Sequence, residues 1–125
     1  MLKDLRVHAT LPATDLARAR AFYSDRLGLD PVKEMPGGLM YQCNGSVFVV
    51  YPGRHAGSGR HTQMGFTVAD IETEVAGLKG RGVRFETYDM PNFDPETNIF
   101  SPGPTRSAWF RDSEGNMIGL VQFVD

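Results

Sequence analysis

The amino-acid sequence predicts an α+β fold in which two tandem βαβββ modules form curved mixed sheets around a shared cavity. The main observation is an internal repeat, because Asp15 and Asp70, 55 residues apart, each end an apolar run and begin a helical apolar stripe. The same spacing pairs His8 with Gln63. A second observation is Asn44-Gly45 between two apolar runs, the dipeptide best suited to a two-residue hairpin turn.

Module 1 is predicted to span about residues 6–51. Asp15 has the side chain to cap a helix, and Gly28 is suited to end it. The apolar face of that helix is Leu16, Ala19, Phe22, Tyr23 and Leu27. The strands of this module are predicted at residues 6–13, 31–35, 39–43 and 46–51, and a glycine-rich linker follows at about residues 52–60.

Module 2 is predicted to span about residues 61–125. A strand leads into Asp70, the helix places Ile71, Val75 and Leu78 on one face, and Gly82 ends it. The remaining segments are predicted as a strand at 83–87, a long loop at 88–105 and a hairpin of 107–111 with 117–124. Loops of this length often cover binding sites, so we expect residues 88–105 to act as a lid.

The composition favours one folded domain and excludes several classes of function. The 125 residues are 41% hydrophobic and carry a net charge of −2, with no basic stripe that would bind nucleic acid. Cys43 is the single cysteine and lies in an apolar run, which predicts a buried thiol and a reducing compartment. With no signal-peptide core and no membrane-spanning run, a cytoplasmic protein is expected.

Several segments resemble the vicinal oxygen chelate superfamily, which includes glyoxalases, bleomycin-resistance proteins and extradiol dioxygenases. The resemblance covers nearly the whole chain. It rests on the strands that lead into Asp15 and Asp70, on Ala21-Phe22-Tyr23 with Leu27-Gly28-Leu29, and on the turn Trp109 to Asn116. In that turn Ser113 replaces the proline that is usual in the family.

The resemblance implies where a catalytic metal would be held. In metal-dependent members each module supplies one ligand from its first strand and another, usually Glu, from its last strand. The corresponding positions here are His8, Gln63, Val49 and Gly119. Because a catalytic ion normally has about three protein ligands, and Val49 and Gly119 offer none, neither a bound metal nor another cofactor is expected.

Two functions from different classes follow. The first is a glyoxalase/bleomycin-resistance-like protein that binds a small hydrophobic or aromatic molecule between the modules. The second is a glyoxalase-type lyase, isomerase or dioxygenase that uses His8 as its catalytic residue in a reduced or metal-free site. A third alternative, a structural or interaction module, would need no cavity.

The candidate ligand-binding residues lie on the first and last strands of each module and on possible stacking platforms. They are His8, Gln63, Val49, Tyr51, Tyr41, Trp109, Met117 and Gly119, the last expected to leave room for the ligand. His55 and His61 are interpreted as part of a solvated linker rather than a metal site. The resemblance also implies a homodimer.

Overall fold

The structure, a computed structural model, describes residues 1–123. Residue 124, which ends the predicted last strand, and residue 125 lie outside the described residues. A short 3-10 turn at Leu2–Asp4 comes before the first strand. The other elements of the described chain are, in order, β1 (Ala9–Ala13), α1 (Leu16–Leu27), β2 (Lys33–Met35), β3 (Gly38–Cys43), β4 (Ser46–Pro52), β5 (Met64–Thr67), α2 (Ile71–Gly80), β6 (Phe93–Asp94), β7 (Ile99–Phe100), β8 (Thr105–Arg111) and β9 (Met117–Phe123).

The strands form two mixed sheets, one for each predicted module. The first sheet has the order β1-β4-β3-β2 and the second has the order β5-β9-β8-β7-β6. In each sheet the first strand runs parallel to the last strand of its module, and the other pairs are antiparallel. The predicted α+β fold with two modules is therefore confirmed, whereas the exact module boundaries stay a prediction.

The pairing registers reproduce the repeat found in the sequence. Thr10 pairs with Val49 in the first sheet, and Gly65 pairs with Gly119 in the second. The two first-strand residues are 55 positions apart and the two last-strand residues 70 apart, because module 2 carries extra chain between α2 and β8. Residue 119 is thus the equivalent of residue 49, and the 55-residue offset makes residue 63 the equivalent of residue 8.

Both helix caps form as predicted. The Asp15 carboxylate accepts a hydrogen bond from the Arg18 N–H at 3.0 Å, and the Asp70 carboxylate accepts one from the Thr73 N–H at 3.3 Å. Gly28 ends α1 with a φ of 71°, in the left-handed region that favours glycine. The caps fix the point at which each first strand turns into its helix.

One strand prediction is wrong. Residues 83–87 form no strand, and only Phe85 makes an isolated bridge, to Phe110 of β8. The other pairing along that edge of β8 is between Ser107 and Phe100 of β7, which belongs to the predicted loop 88–105. The segment around Phe85 and strand β7 therefore share the edge of β8, and neither pairs along its whole length.

A single hydrophobic core joins the two modules. Leu11, Phe48 and Val50 of the first sheet are buried on the same side as Ala19 and Tyr23 of α1. On the second sheet Ala108, Phe110, Ile118 and Leu120 are buried, together with Ile71 and Val75 of α2. Cys43 is half-buried rather than buried, since it lies at the end of β3 beside the hairpin turn.

Because side chains alternate along a strand, each sheet has one side that packs on the core and one side that faces away from it. The sides that face away from the core are less covered, and we call them the open faces. On β4 the core residues are Phe48 and Val50, so Val47, Val49 and Tyr51 lie on the open face. On β8 and β9 the open face carries Trp109 and Gly119, which pair with each other. In residues 1–123 neither helix is both long and apolar enough to cross a membrane.

Candidate functional site

A cavity of about 520 Å³ lies between the two modules. Module 1 lines it with residues 7–9, 43–44 and 46–48, and module 2 lines it with residues 64–67 of β5. None of these lining residues is an Asp, Glu, Lys or Arg, and His8 is an exposed residue just before β1. This space, which we call the inter-module cavity, is a mostly apolar site with few polar groups, as is usual for small-molecule sites.

A second cavity, of about 370 Å³, lies at the open face of the second sheet. We call it the Trp109 cavity. It is lined by the end of the linker, the start of the long loop and two sheet residues: Arg60, His61, Thr62, Tyr88, Met90, Trp109 and Met117. It differs from the inter-module cavity in combining aromatic walls with a cationic side chain.

The predicted site residues divide between these two places. His8 lines the inter-module cavity, whereas Trp109 and Met117 line the Trp109 cavity. Val49 and Tyr51 lie on the open face of the first sheet and line neither cavity. These residues therefore lie in different parts of the chain's surface, and their sharing of one ligand stays a prediction.

Two predicted residues have surroundings that differ from the expectation. Tyr41 is 1% exposed and its ring stacks on Phe48 at 4.9 Å with a second contact to Tyr23 at 5.3 Å, so it is a core residue and not an open stacking platform. The sequence predicts that Gly119 leaves room for a ligand. A Cβ placed there would meet Thr62 at 3.2 Å and Trp109 at 3.3 Å, so its neighbours already fill that space.

The donors at the four metal positions do not fit the metal site that the resemblance implies. His8 is exposed, and the Gln63 side-chain oxygen accepts a hydrogen bond from the Met117 N–H at 3.2 Å. Val49 and Gly119 have no ligating atoms in their side chains. Within residues 1–123 no three His, Cys, Asp or Glu side chains are grouped so that they could share a metal ion. We therefore derive no chemistry through a metal.

A buried polar cluster, which we call the clamp, joins the β8–β9 turn to module 1. The Glu114 side chain is fully buried, and its carboxylate accepts hydrogen bonds from the Arg18 guanidinium at 2.8 and 3.0 Å and from the Asp15 N–H at 2.9 Å. Tyr23 donates its hydroxyl to Asp112 at 2.8 Å. The turn that carries the family resemblance thus holds the two modules together.

The surroundings of the clamp shift two pKa values in opposite directions. Hydrogen bonds from the Arg18 guanidinium lower the pKa of Glu114 to about 2, so this carboxylate is charged at neutral pH. Burial, followed by the nearby Asp112 carboxylate, raises the pKa of Tyr23 above its ordinary range. Both shifts correspond to the protonation states that these hydrogen bonds need, which are a charged Glu114 carboxylate and a neutral Tyr23 hydroxyl.

Sequence reasoning missed five residues of the Trp109 cavity. Arg60, His61 and Thr62 were assigned to the linker or to the start of module 2, and no signal in the sequence placed them against β8. Tyr88 and Met90 belong to the predicted lid, and this part of the loop does border a cavity. One signal in the sequence could have pointed to the loop residues. The loop is rich in aromatic side chains, and such side chains need a packing partner, which for Tyr88 is Trp109.

Comparisons with known proteins agree on the fold. The chain is similar to UcmS2, with a TM-score of 0.73 and 20% identity over 94% of this chain and 96% of that one. It is similar to TnmS3, an antibiotic-binding protein from a Streptomyces species, with a TM-score of 0.68 and 25% identity over 95% of each chain. A lactoylglutathione lyase from Agrobacterium tumefaciens has a TM-score of 0.63 and 23% identity over 94% of this chain and 92% of that one.

A search of curated proteins gave no match. The family model described as the Glyoxalase/Bleomycin resistance protein/Dioxygenase superfamily matches residues 6–120. That range includes both sheets almost completely, both helices and the turn of the clamp. The chain therefore belongs to the glyoxalase/bleomycin resistance protein/dioxygenase superfamily.

Proposed function

We propose that this protein binds a small hydrophobic molecule in the inter-module cavity without using a metal. The observation that carries the proposal is the lining of that cavity, in which apolar residues of both modules surround about 520 Å³ and no Asp, Glu, Lys or Arg takes part. The similarity to an antibiotic-binding protein supports the same class of function. His8 would supply the polar contact that orients the ligand.

A cavity-filling variant tests this proposal. Gly65 lines the cavity, and a Cβ there would meet only the Gly119 carbonyl at 3.7 Å, an ordinary contact. Gly65→Leu should therefore fold and reduce the space available to the ligand. A matched control is Gly77→Leu on α2, where a Cβ meets nothing within 4 Å and which does not line the cavity.

The measurement is a thermal-shift screen against neutral apolar, aldehyde-adduct and antibiotic-like compounds, followed by calorimetry on each compound that stabilises the wild type. A ligand of the native state raises the unfolding midpoint. We expect Gly65→Leu to lose that shift and Gly77→Leu to keep it. Stabilisation that is equal in both variants would place binding elsewhere, and a screen without binders would count against the proposal.

The alternative is a glyoxalase-type lyase, isomerase or dioxygenase that uses His8, and it is favoured by the position of that imidazole at the inter-module cavity. The two functions differ in their metal dependence and in the effect of His8→Ala. A binding protein should carry well under one divalent ion per chain in elemental analysis. A tightly held stoichiometric ion, or turnover that His8→Ala abolishes, would put the enzyme first.

We also propose a homodimer in the cytoplasm. The open faces support self-association, because Tyr51 is 37% exposed and Phe123 is 64% exposed at strand positions where a second copy could cover them. Light scattering after gel filtration tests the mass, and Tyr51→Ser with Phe123→Ser should shift a dimer towards monomer. An unchanged mass in that variant would exclude these faces as the interface. Cell fractionation tests the proposed location in the cytoplasm.

A further inference from the structure

A third cavity, of about 330 Å³, lies on the helix side of the second sheet, and we call it the helix-side cavity. It is lined by residues 66–69 and by Leu27, Leu29, Glu74, Leu78, Phe110 and Leu120. We propose that it is a separate ligand site, which takes a small apolar amine. The apolar body of that ligand would fill the cavity, and its ammonium group would face Glu74. This proposal goes beyond the function proposed above, because it concerns a different cavity and a cationic class of ligand.

The first step is the position of this cavity relative to the open face. Phe110 of β8 and Leu120 of β9 are its most buried lining residues, with 1% and 4% exposed, and they belong to the hydrophobic core. Successive side chains of a strand point to opposite sides, so Trp109 lies on the other side of the same sheet. Among the described residues, only Phe66 and Thr67 line both this cavity and the inter-module cavity. A ligand here would therefore bind on the face of the sheet that carries α2.

The second step is that the walls are apolar and incompletely covered. Five apolar side chains around the cavity pack against the core but are only half-buried: Leu27, Leu29, Phe66, Val68 and Leu78. They come from the end of α1, from β5 and the chain after it, and from α2, so two modules supply them. Removing apolar surface from water is favourable. An apolar body that fills the cavity would cover the exposed part of these side chains.

The third step is the charge at the cavity. Glu74 is the only lining residue with a charged side chain, and it is exposed. Its carboxylate makes no ion pair within residues 1–123, whereas Glu72 of the same helix is paired with Arg106 at 2.7 Å. A carboxylate attracts an ammonium group and repels an anion, and the Phe66 ring adds an aromatic surface that attracts a cation. The lining thus favours an amine over an acid of the same shape.

The chain's own Arg81 does not neutralise this carboxylate. Arg81 lies beside Gly28 at the end of α1, and its guanidinium donates to the backbone oxygens of Asp25 and Arg26 at 3.2 and 3.1 Å. The C-terminal end of a helix attracts a cation, because its last carbonyl groups carry partial negative charge. Arg81 is therefore held by α1 and does not line the helix-side cavity, which leaves Glu74 to pair with a ligand.

The test uses three compounds that share a ring and a chain and differ in charge, namely phenylpropylamine, phenylpropanol and phenylpropanoate. They are titrated in parallel into protein with labelled leucine and valine methyl groups and a labelled indole nitrogen. Leu78 reports on the helix-side cavity, Val47 reports on the inter-module cavity, and Trp109, the only tryptophan, reports on the open face. We expect the amine to move the Leu78 methyl resonances at the lowest concentration, before those of Val47 or the indole, and the acid to bind weakest.

Two exposed glutamates give a matched pair of variants. Glu74→Gln removes the charge at the cavity, whereas Glu96→Gln makes the same change at a residue that lines none of the three cavities named here. We expect Glu74→Gln to weaken binding of the amine about fivefold, in line with an exposed ion pair, and to leave the alcohol unaffected. Glu96→Gln should change both by less than about twofold.

Three results would overturn the proposal. The first is an amine that does not move the Leu78 methyl resonances at millimolar concentration, or that moves only Val47 or Trp109. The second is equal binding of the amine and the acid. The third is loss of amine binding in Gly65→Leu, which would place the ligand in the inter-module cavity. Amine binding that survives Gly65→Leu but weakens in Glu74→Gln supports a separate helix-side site, whatever the screen of the inter-module cavity shows.

Discussion

Replacing Glu114 with Gln tests whether the clamp between the modules is electrostatic. The glutamine keeps an oxygen that can accept the Asp15 N–H bond but removes the negative charge opposite Arg18. A pKa lowered from 4.5 to about 2 corresponds to roughly 3.5 kcal/mol at about 1.4 kcal/mol per pKa unit. Because the Arg18 side chain is 54% exposed and solvent screens it, we expect a loss of about 1–2 kcal/mol at neutral pH.

The sign of the pH dependence follows from the lowered pKa. The folded state prefers the charged carboxylate, so the full contribution is present above the ordinary pKa of 4.5 and is lost as the pH falls towards about 2. The wild type should therefore exceed Glu114→Gln in its free energy of unfolding near neutral pH, and the two should converge as the pH approaches the folded-state pKa of about 2.

The assay is urea denaturation of both proteins at several pH values, comparing midpoints at constant slope. The matched control is Glu34→Gln, because Glu34 is paired with Arg20 but is 64% exposed, and its loss should cost less than about 0.5 kcal/mol. A gap between wild type and Glu114→Gln that stays constant from neutral to acid pH would refute the electrostatic explanation. The loss would then come from altered packing or hydrogen-bond geometry.

Further predictions concern the caps, the glycine pair and the loop. Asp15→Ala and Asp70→Ala should each lower the free energy of unfolding by about 1 kcal/mol, and unchanged urea midpoints would mean that the caps are not stabilising. Gly119→Ala should cost about 1–3 kcal/mol by overpacking against Trp109, whereas Gly65→Ala, which has room, should not; equal losses would contradict this packing. A ligand at saturating concentration should slow hydrogen exchange in the predicted lid, residues 88–105, and unchanged exchange throughout that loop would argue against a lid.

The features that the sequence predicted correctly depend on neighbours in the chain. The Asp15 and Asp70 caps are hydrogen bonds to the residue three positions later, and Asn44-Gly45 places both residues at positive φ, 47° and 85°. The internal repeat was also predicted correctly. The 55-residue offset between the two caps also separates Thr10 and Gly65, the equivalent residues of the two first strands. Local chemistry and internal symmetry were sufficient for these.

The features that were missed depend on contacts between distant residues. Period-two alternation on β4 separates Phe48 from Val49 but does not tell which side becomes the core. The core side is the one on which the Phe48 ring meets Tyr23 of α1 and Phe66 of β5, with centroid distances of 5.9 and 6.4 Å. Likewise, Glu114 and Arg18 are separated by 96 positions, and nothing near either residue indicates the pair. The contact of Thr62 with the space above Gly119, 57 positions later in the chain, is of the same kind.

The clamp also has a consequence for the order of folding. Its contacts join residues up to 99 positions apart, whereas the β3–β4 hairpin closes through a two-residue turn. Contacts with long sequence separation need the largest loss of chain entropy before they form, so each module is expected to pair its own strands before the clamp closes. If the clamp closes after the rate-limiting step of folding, we expect a weakened clamp to accelerate unfolding and to leave the refolding rate nearly unchanged.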